Sequence, residues 1–222
     1  EALGASFTDF GGWDMPLRYG SELAEHKAVR EAAGVFDLSH MGEVRVTGPD
    51  SARYLNTALA GNLAAVAVGR AKYSLLLNAD GGIIDDLIVY RLGETEFLVV
   101  PNASNTPAVV EALKERALGF DVAVEDESDE TALVAVQGPN AEKIVAAVTA
   151  EADRDAVVGL RFYSAARATV AGADALVART GYTGEDGYEI YVANADAKAV
   201  WDAVAEAGEE HGLLPCGLAA RD

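Results

Sequence analysis

Apolar and polar positions recur along the chain with two periods, and the period distinguishes helices from strands. The segment Ser21–Ala33 is typical of a helix, because a serine can cap its start, glutamates occupy its first turn and Gly34 follows it. A proline at the first helical position predicts a helix over Thr106–Leu118. Apolar residues at helical spacing predict another over Ala195–Glu210.

Short apolar runs rich in β-branched and aromatic residues predict strands between the helices. Lys72–Asn78 and Ile83–Tyr90 flank Ala79–Gly82, whose sequence Ala-Asp-Gly-Gly is typical of a hairpin turn. Further strands are predicted over Glu43–Val46 and Phe97–Val100. Hairpins interspersed with helices indicate an α+β fold with antiparallel sheets.

The second half of the chain repeats the pattern of the first. Val46–Asp50 reads Val-Thr-Gly-Pro-Asp, and Val136–Asn140, ninety residues later, reads Val-Gln-Gly-Pro-Asn. Each segment ends a predicted strand and starts a helix, and each is followed by a glycine-rich hairpin and a closing helix. This predicts two ferredoxin-like β-α-β-β-α units related by duplication. We expect residues 1–47 plus 137–222 to form the first unit and residues 48–136 to form the second.

Composition limits the partners that the protein can have. Thirty-six acidic residues against 17 basic ones leave a formal net charge of −19, which repels nucleic-acid phosphates and anionic membranes. We therefore expect neither as a partner. A single cysteine, Cys216, excludes a disulfide framework and a cysteine-cluster metal site, and no metal is expected. With no long apolar run and no signal-peptide pattern at the N-terminus, a cytoplasmic protein is expected.

Two adjacent carboxylates interrupt the predicted strand Ile83–Tyr90, which is apolar on both faces. Alternation places Asp85 on one face and Asp86 on the other, so one of the two side chains points into the core whichever face packs inward. A buried carboxylate costs free energy unless it is hydrogen-bonded, paired or lining a cavity. Two interpretations stay open: an aspartate that accepts backbone N–H bonds beside the hairpin, or a functional carboxylate in a pocket. Alternation does not distinguish which aspartate is which.

Six blocks in collinear order resemble the aminomethyltransferases, the T-proteins of the glycine cleavage system. These blocks are Phe10–Pro16, Phe36–Glu43, Gly81–Leu87, Val136–Pro139, Arg179–Glu189 and Gly217–Asp222. The chain departs from the family pattern at Ala219, where glycine is usual. Members of the family start earlier and extend into a C-terminal β-rich domain, so the resemblance implies a fragment truncated at both ends and without that domain.

The resemblance also implies a reaction. The family transfers the methylene carbon of an aminomethyl group, carried on the lipoyl arm of H-protein, to tetrahydrofolate and releases ammonia. By match to the family, Asp86 is the catalytic carboxylate beside the folate, where it would orient the reacting nitrogen and stabilise an iminium cation. Glu189 would accept the hydrogens of the pterin edge, and Arg221 would supply a local positive charge. The other folate-binding candidates are Tyr73, Tyr90, Tyr163, Tyr182, Met41 and Asn102.

Two alternatives share the folate-binding pattern. The folate domain of a sarcosine or dimethylglycine oxidising enzyme usually follows a flavin-binding domain, whose Gly-x-Gly-x-x-Gly signature this sequence lacks. A non-enzymatic folate-binding relative in iron–sulfur maturation departs from the Asp-Asp block, which is intact here, so Asp86 discriminates best. Docking of H-protein on so acidic a chain needs a local basic or neutral patch, with Arg18, Lys27 and Arg30 as candidates.

Overall fold

The computed structural model describes residues 3–221, and the chain divides into two compact units. Unit 1 comprises residues up to 39 together with 132–162 and the segment from 166 onward, and unit 2 comprises residues 40–131 and 163–165. Three terminal residues that belong to the sequence-based assignments, Glu1, Ala2 and Asp222, lie outside the described residues.

The elements are numbered in chain order. The strands are β1 (Ser6–Phe10), β2 (Trp13–Arg18), β3 (Ala33–Asp37), β4 (Val44–Thr47), β5 (Ala71–Leu77), β6 (Ile83–Gly93), β7 (Glu96–Val100), β8 (Ala123–Asp126), β9 (Thr131–Gln137), β10 (Ala165–Val170), β11 (Ala173–Ala178), β12 (Gly187–Ala193) and β13 (Leu213–Pro215). The α-helices are α1 (Glu22–Glu31), α2 (Ser51–Ala58), α3 (Thr106–Arg116), α4 (Ala141–Val148), α5 (Glu151–Val158) and α6 (Ala197–Gly208). No helix within residues 3–221 combines the length and the apolarity needed to cross a membrane.

Unit 2 is built on a five-stranded sheet in the order β5-β6-β7-β4-β8, and every neighbouring pair is antiparallel. Its core is formed by inward-facing strand residues and by apolar residues of α2 and α3. Fully buried members include Val46, Leu55, Leu76, Phe97 and Leu113. The succession β4-α2-β5-β6-β7-α3-β8 is therefore the predicted ferredoxin-like pattern with β5 as an added edge strand.

Unit 1 repeats this succession as β9-α4-α5-β10-β11-β12-α6-β13. Its six-stranded sheet has the order β10-β11-β12-β9-β3-β13. The additional strand, β3, lies between β9 and β13, antiparallel to β9 and parallel to β13. The predicted α+β fold with antiparallel sheets is confirmed except at β3 and β13, which pair in parallel, and the structure adds the separate hairpin of β1 and β2.

The Gly-Pro-Asx repeat of the sequence is also a repeat of backbone geometry. Gly48 has a φ of +127° and Gly138 a φ of +128°. A Cβ atom at Gly48 would lie 2.4 Å from the carbonyl oxygen of Asp121, and one at Gly138 would lie 2.7 Å from another backbone oxygen. Only glycine combines that conformation with so close an approach of backbones, so the same residue type recurs at both helix starts.

The unit boundaries observed differ in position from those expected at Thr47 and Val136. β4 lies in unit 2 because β7 and β8 pair with it on either side. The first change of unit therefore falls between Ser39 and His40. That the two units fold as separate domains stays a prediction.

Candidate functional site

The two adjacent aspartates of β6 have opposite environments. Asp85 is only 2% exposed and shares its face with the buried side chains of Leu87 and Val89. Asp86 is on the other face and is exposed. The face of the sheet that carries α3 therefore decides which carboxylate is buried, a question that alternation had left open.

The buried carboxylate of Asp85 accepts hydrogen bonds at both of its oxygens. Its Oδ2 accepts from the backbone N–H of Asn102 at 3.0 Å, and its Oδ1 accepts from Asn102 Nδ2 at 3.0 Å and from Asn105 Nδ2 at 2.6 Å. Asn102 and Asn105 belong to the turn between β7 and α3. Asp85 thus fits the structural interpretation, an aspartate satisfied by backbone and side-chain donors, and it ties this turn to β6.

The carboxylate of Asp86 is exposed but held from two sides. Tyr73 donates its hydroxyl hydrogen to Oδ2 at 2.9 Å, and Asn102 Nδ2 lies 3.3 Å from Oδ1. The same amide nitrogen donates to the backbone oxygen of Asp86 at 2.8 Å. Both carboxylate oxygens therefore have a fixed direction and retain lone pairs for a further donor or a nearby cation.

The remaining candidates of unit 2 differ in exposure. Tyr73, on the adjacent strand β5, is 51% exposed, whereas Tyr90, on the same face of β6 as Asp86, is fully buried. Met41 is half-buried. Tyr163 is half-buried in the left-handed region at a φ of +60°, and its carbonyl oxygen accepts from the N–H of Ala71 at 2.9 Å. A bulky residue held in this region stores conformational strain, which is common at functional sites.

The candidates of unit 1 lie on β12, in the loop before it and at the end of the described chain. Glu189 is half-buried and accepts a hydrogen bond from the hydroxyl of Thr180. The guanidinium carbon of Arg221 lies 4.8 Å from the ring centroid of Tyr182, whose side chain is 81% exposed. Stacking of this kind orients an exposed cation.

A residue to which the sequence assigned no role, Gln137, organises the loop that precedes β12. Gln137 is fully buried at the end of β9; its Nε2 donates to the carbonyl oxygen of Thr180 at 3.1 Å and its Oε1 accepts from Thr183 Oγ1 at 2.7 Å. A Cβ atom at Gly187 would lie 2.3 Å from Gln137 Nε2. The signal was available in the sequence, because Gln137 lies in the block Val136–Pro139, but its function depends on contacts with Thr180 and Thr183, which are more than forty residues away along the chain.

Glu43 is a second residue without a role assigned from the sequence. Its side chain is 1% exposed, and neither carboxylate oxygen has a hydrogen-bond partner. Burial, reinforced by the negative charges of Asp126 and Glu127, raises the pKa of Glu43 to about 9. The group is therefore protonated and neutral at pH 7, which lowers the cost of burying it.

Comparison with known protein families identifies the family to which this chain is similar. The model of the GCVT N-terminal domain matches residues 1–222. The chain belongs to this family. Aminomethyltransferases from Streptomyces avermitilis and Bacillus subtilis are 60% and 47% identical to it over 222 residues, all of this chain but only 59% and 60% of those proteins. The chain thus spans about three fifths of the length of the curated relatives it matches.

Two solved structures are similar to this chain, one in sequence and fold and the other in fold alone. The glycine cleavage system aminomethyltransferase T from Bartonella henselae matches with a TM-score of 0.89 at 37% identity, over 100% of this chain and 58% of that one. A heterotetrameric sarcosine oxidase from Corynebacterium sp. U-96 matches with a TM-score of 0.63 at 16% identity, over 86% of this chain and 92% of that one. The second likeness shows the fold alone.

The three cations expected to form a docking patch on the GCVT domain each face a carboxylate. Arg18 lies 4.0 Å from Glu22, Lys27 lies 3.6 Å from Glu31, and Arg30 lies 2.8 Å from Glu185. These ion pairs remove most of the local positive charge. The surface around α1 is consequently closer to neutral than to basic.

Proposed function

We propose that this GCVT domain is the folate-binding and carbon-transferring part of an aminomethyltransferase of the glycine cleavage system. The substrates are the aminomethyl group on the lipoyl arm of H-protein and tetrahydrofolate, and the products are 5,10-methylenetetrahydrofolate, ammonia and dihydrolipoyl H-protein. Support comes from the names of the relatives and from one observation above all, the exposed carboxylate of Asp86 held by Tyr73 and Asn102.

The proposed chemistry assigns Asp86 an electrostatic and orienting role. Attack of folate N5 on the aminomethyl carbon displaces the dihydrolipoyl thiol, and loss of ammonia then leaves an iminium cation at N5, which N10 closes to the methylene bridge with loss of a proton. A carboxylate beside the reacting nitrogen stabilises the positive charge as it develops. Because Tyr73 and Asn102 hold both oxygens of Asp86, little reorganisation is needed when the cation forms. Tyr73 and Asn102 are therefore proposed as residues that position Asp86.

Folate recognition is proposed to draw on further residues of the same motifs. The two oxygens of Glu189 suit the paired N–H donors of a pterin edge, and Thr180 restrains their direction. Arg221, steadied by Tyr182, is proposed to bind an anionic part of the folate. Met41, Tyr90 and Tyr163 are proposed as wall residues, and Tyr90 would support the wall from beneath because it is fully buried.

The partner and the location belong to the same proposal. Lipoylated H-protein would dock without a strongly basic patch at Arg18, Lys27 and Arg30, since each of these cations is paired with a glutamate. We propose a cytoplasmic enzyme without nucleic-acid or membrane partners. The oxidase alternative has only a likeness of fold in its favour, and the intact Asp85–Asp86 pair argues against the non-enzymatic relative.

The decisive experiment measures methylenetetrahydrofolate formation by the full-length protein with aminomethyl-lipoyl H-protein. Asp86→Asn should lower turnover by about a hundredfold or more, because it removes the charge that stabilises the cation. Asp80→Asn, in the exposed hairpin turn, is the matched control and should leave turnover unchanged. Absence of activity in the unaltered protein, or turnover of Asp86→Asn equal to that of the control, would overturn the proposal.

A further inference from the structure

Arg70 differs from the other arginines of the structure. Its Nη1 is buried and has no hydrogen-bond partner, and among the arginines within residues 3–221 no other has a buried nitrogen in this state. Arg45, by contrast, contacts two glutamates, and Arg91 donates to backbone oxygens and to Glu94. Burying an N–H group of a guanidinium without an acceptor costs free energy, and a rotation of the Arg70 side chain that brings this group to a bound oxyanion would recover that cost.

The unpartnered nitrogen belongs to a residue that lines a pocket of unit 2. The pocket has a volume of about 390 Å³ and is lined by Arg70, Lys72, Asn62 and small or apolar side chains of the same segment. No acidic residue is among its lining residues. A pocket lined by two cationic side chains and by no carboxylate is unusual in a chain whose net charge is −19.

Hydrogen bonds hold the segment that forms the pocket wall. Asn56 Oδ1 accepts from the N–H of Ala64 at 2.8 Å, and Asn62 Oδ1 accepts from the N–H of Ala65 at 3.2 Å. Arg91 Nη1 donates to the carbonyl oxygens of Ala64 and Val66 at 3.1 and 2.9 Å. The wall is therefore formed before any ligand arrives, which reduces the entropy that binding must overcome.

Lys72 contributes a second charge at the pocket. Its Nζ donates to the backbone oxygen of Asn62 at 3.3 Å, which uses one of its three hydrogens. A guanidinium fork beside an ammonium group matches a ligand with two negative charges on oxygen atoms, because each oxygen can accept a charge-assisted hydrogen bond. A phosphate or a dicarboxylate meets this requirement, and the pocket volume accommodates either.

We propose that the pocket at Arg70 and Lys72 is a binding site for a small dianionic oxyanion. The site lies at the start of β5 and is distinct from the residues that hold Asp86. It requires neither folate nor H-protein, so it can be tested independently of the proposed function. Its ligand is recognised by charge and oxygen geometry, with Arg70 as the principal donor.

The test titrates the full-length protein with inorganic phosphate and, separately, with succinate, at low ionic strength by calorimetry and by amide chemical shifts. We expect saturable binding of at least one probe, with shifts confined to the segment from 62 to 72. The probe that binds more tightly identifies phosphate or dicarboxylate as the natural class of ligand. No saturable binding of either probe would overturn the proposal.

Substitutions locate the site. Arg70→Gln should weaken binding about tenfold or more, and Lys72→Gln should weaken it less, because it removes charge without removing the principal donor. Arg53→Gln is the matched control, since Arg53 is exposed in the same unit and paired with Asp50. If Arg70→Gln fails to fold, Lys72→Gln alone decides. Binding by the Arg70 and Lys72 variants equal to that of the control would place the ion elsewhere and refute the site.

Discussion

Asn102 connects the buried and the exposed carboxylate of β6, because its Nδ2 lies 3.0 Å from Asp85 Oδ1 and 3.3 Å from Asp86 Oδ1. The side chains of Asp85 and Asp86 lie on opposite faces of the strand, yet both contact the same side-chain amide. The buried aspartate anchors Asn102, and Asn102 in turn restrains the exposed aspartate. We therefore expect mutation of Asp85 to affect mainly the stability of the fold and mutation of Asp86 to affect mainly turnover.

Asp85→Asn should destabilise the protein by about 3 kcal/mol, because the new amide N–H groups would face the donors Asn102 and Asn105. Asp86→Asn, at an exposed position, should change stability by less than about 0.5 kcal/mol. Urea unfolding of both variants gives the comparison. Equal losses of stability would contradict the assignment of Asp85 as the structural member of the pair.

Tyr73→Phe tests whether Asp86 needs to be held. The substitution removes the donor to Oδ2 and keeps the ring, so turnover should fall about tenfold while the affinity for tetrahydrofolate changes little. Turnover and calorimetric affinity of the full-length protein are the two measurements. A change in affinity alone would indicate that Tyr73 contacts the folate rather than positioning the carboxylate.

Glu43 makes stability depend on pH. Its pKa is raised from 4.5 to about 9 in the folded protein, so the folded state keeps a proton that the unfolded state loses between these values. The free energy of unfolding should consequently fall as the pH rises through this window, by up to about 1.4 kcal/mol per pH unit. Urea unfolding at several pH values measures this dependence.

Glu43→Gln should remove this pH dependence and raise stability at pH 8, because the amide stays neutral. Glu125→Gln is the control, since Glu125 is exposed on β8 close to the same acidic residues, Asp126 and Glu127. A Glu43→Gln variant with an unchanged pH profile would show that another group carries the effect.

Gly187→Ala tests the contact that organises the loop before β12. The added Cβ would lie 2.3 Å from Gln137 Nε2, and Gln137 is fully buried, so we expect a loss of about 2 kcal/mol. At Gly20 a Cβ would meet no atom within 4 Å, and Gly20→Ala should be near neutral. Thermal unfolding of the two variants distinguishes a steric effect from the general effect of replacing glycine.

Cys216 should resist thiol reagents in the native protein. It is buried, and burial with the nearby charge of Glu25 raises its pKa to about 12, so almost no thiolate exists at pH 8. Labelling with an aromatic disulfide should be about a hundredfold slower than in urea-unfolded protein. Rapid labelling under native conditions would contradict the buried position of the thiol.

The sequence by itself determined the elements whose causes are local. The helix after Ser21 begins where its side chain accepts from the N–H of Ala24, and the hairpin at Ala79–Gly82 forms where Asn78 accepts from two N–H groups of the turn. The repeated Gly-Pro-Asx segments predicted the duplication, because the same backbone conformation demands glycine in both places. Each of these signals acts within a few residues along the chain.

Only the tertiary structure decided which aspartate is buried, because both faces of β6 are apolar and the choice depends on the packing of helices against one of them. The insertion of β3 between β9 and β13 joins segments far apart in sequence, so no local period reports it. The roles of Asn105, Gln137 and Glu43 depend in the same way on partners from other elements. Local periodicity encodes helices and strands, whereas burial and hydrogen-bond pairing arise only when distant segments meet.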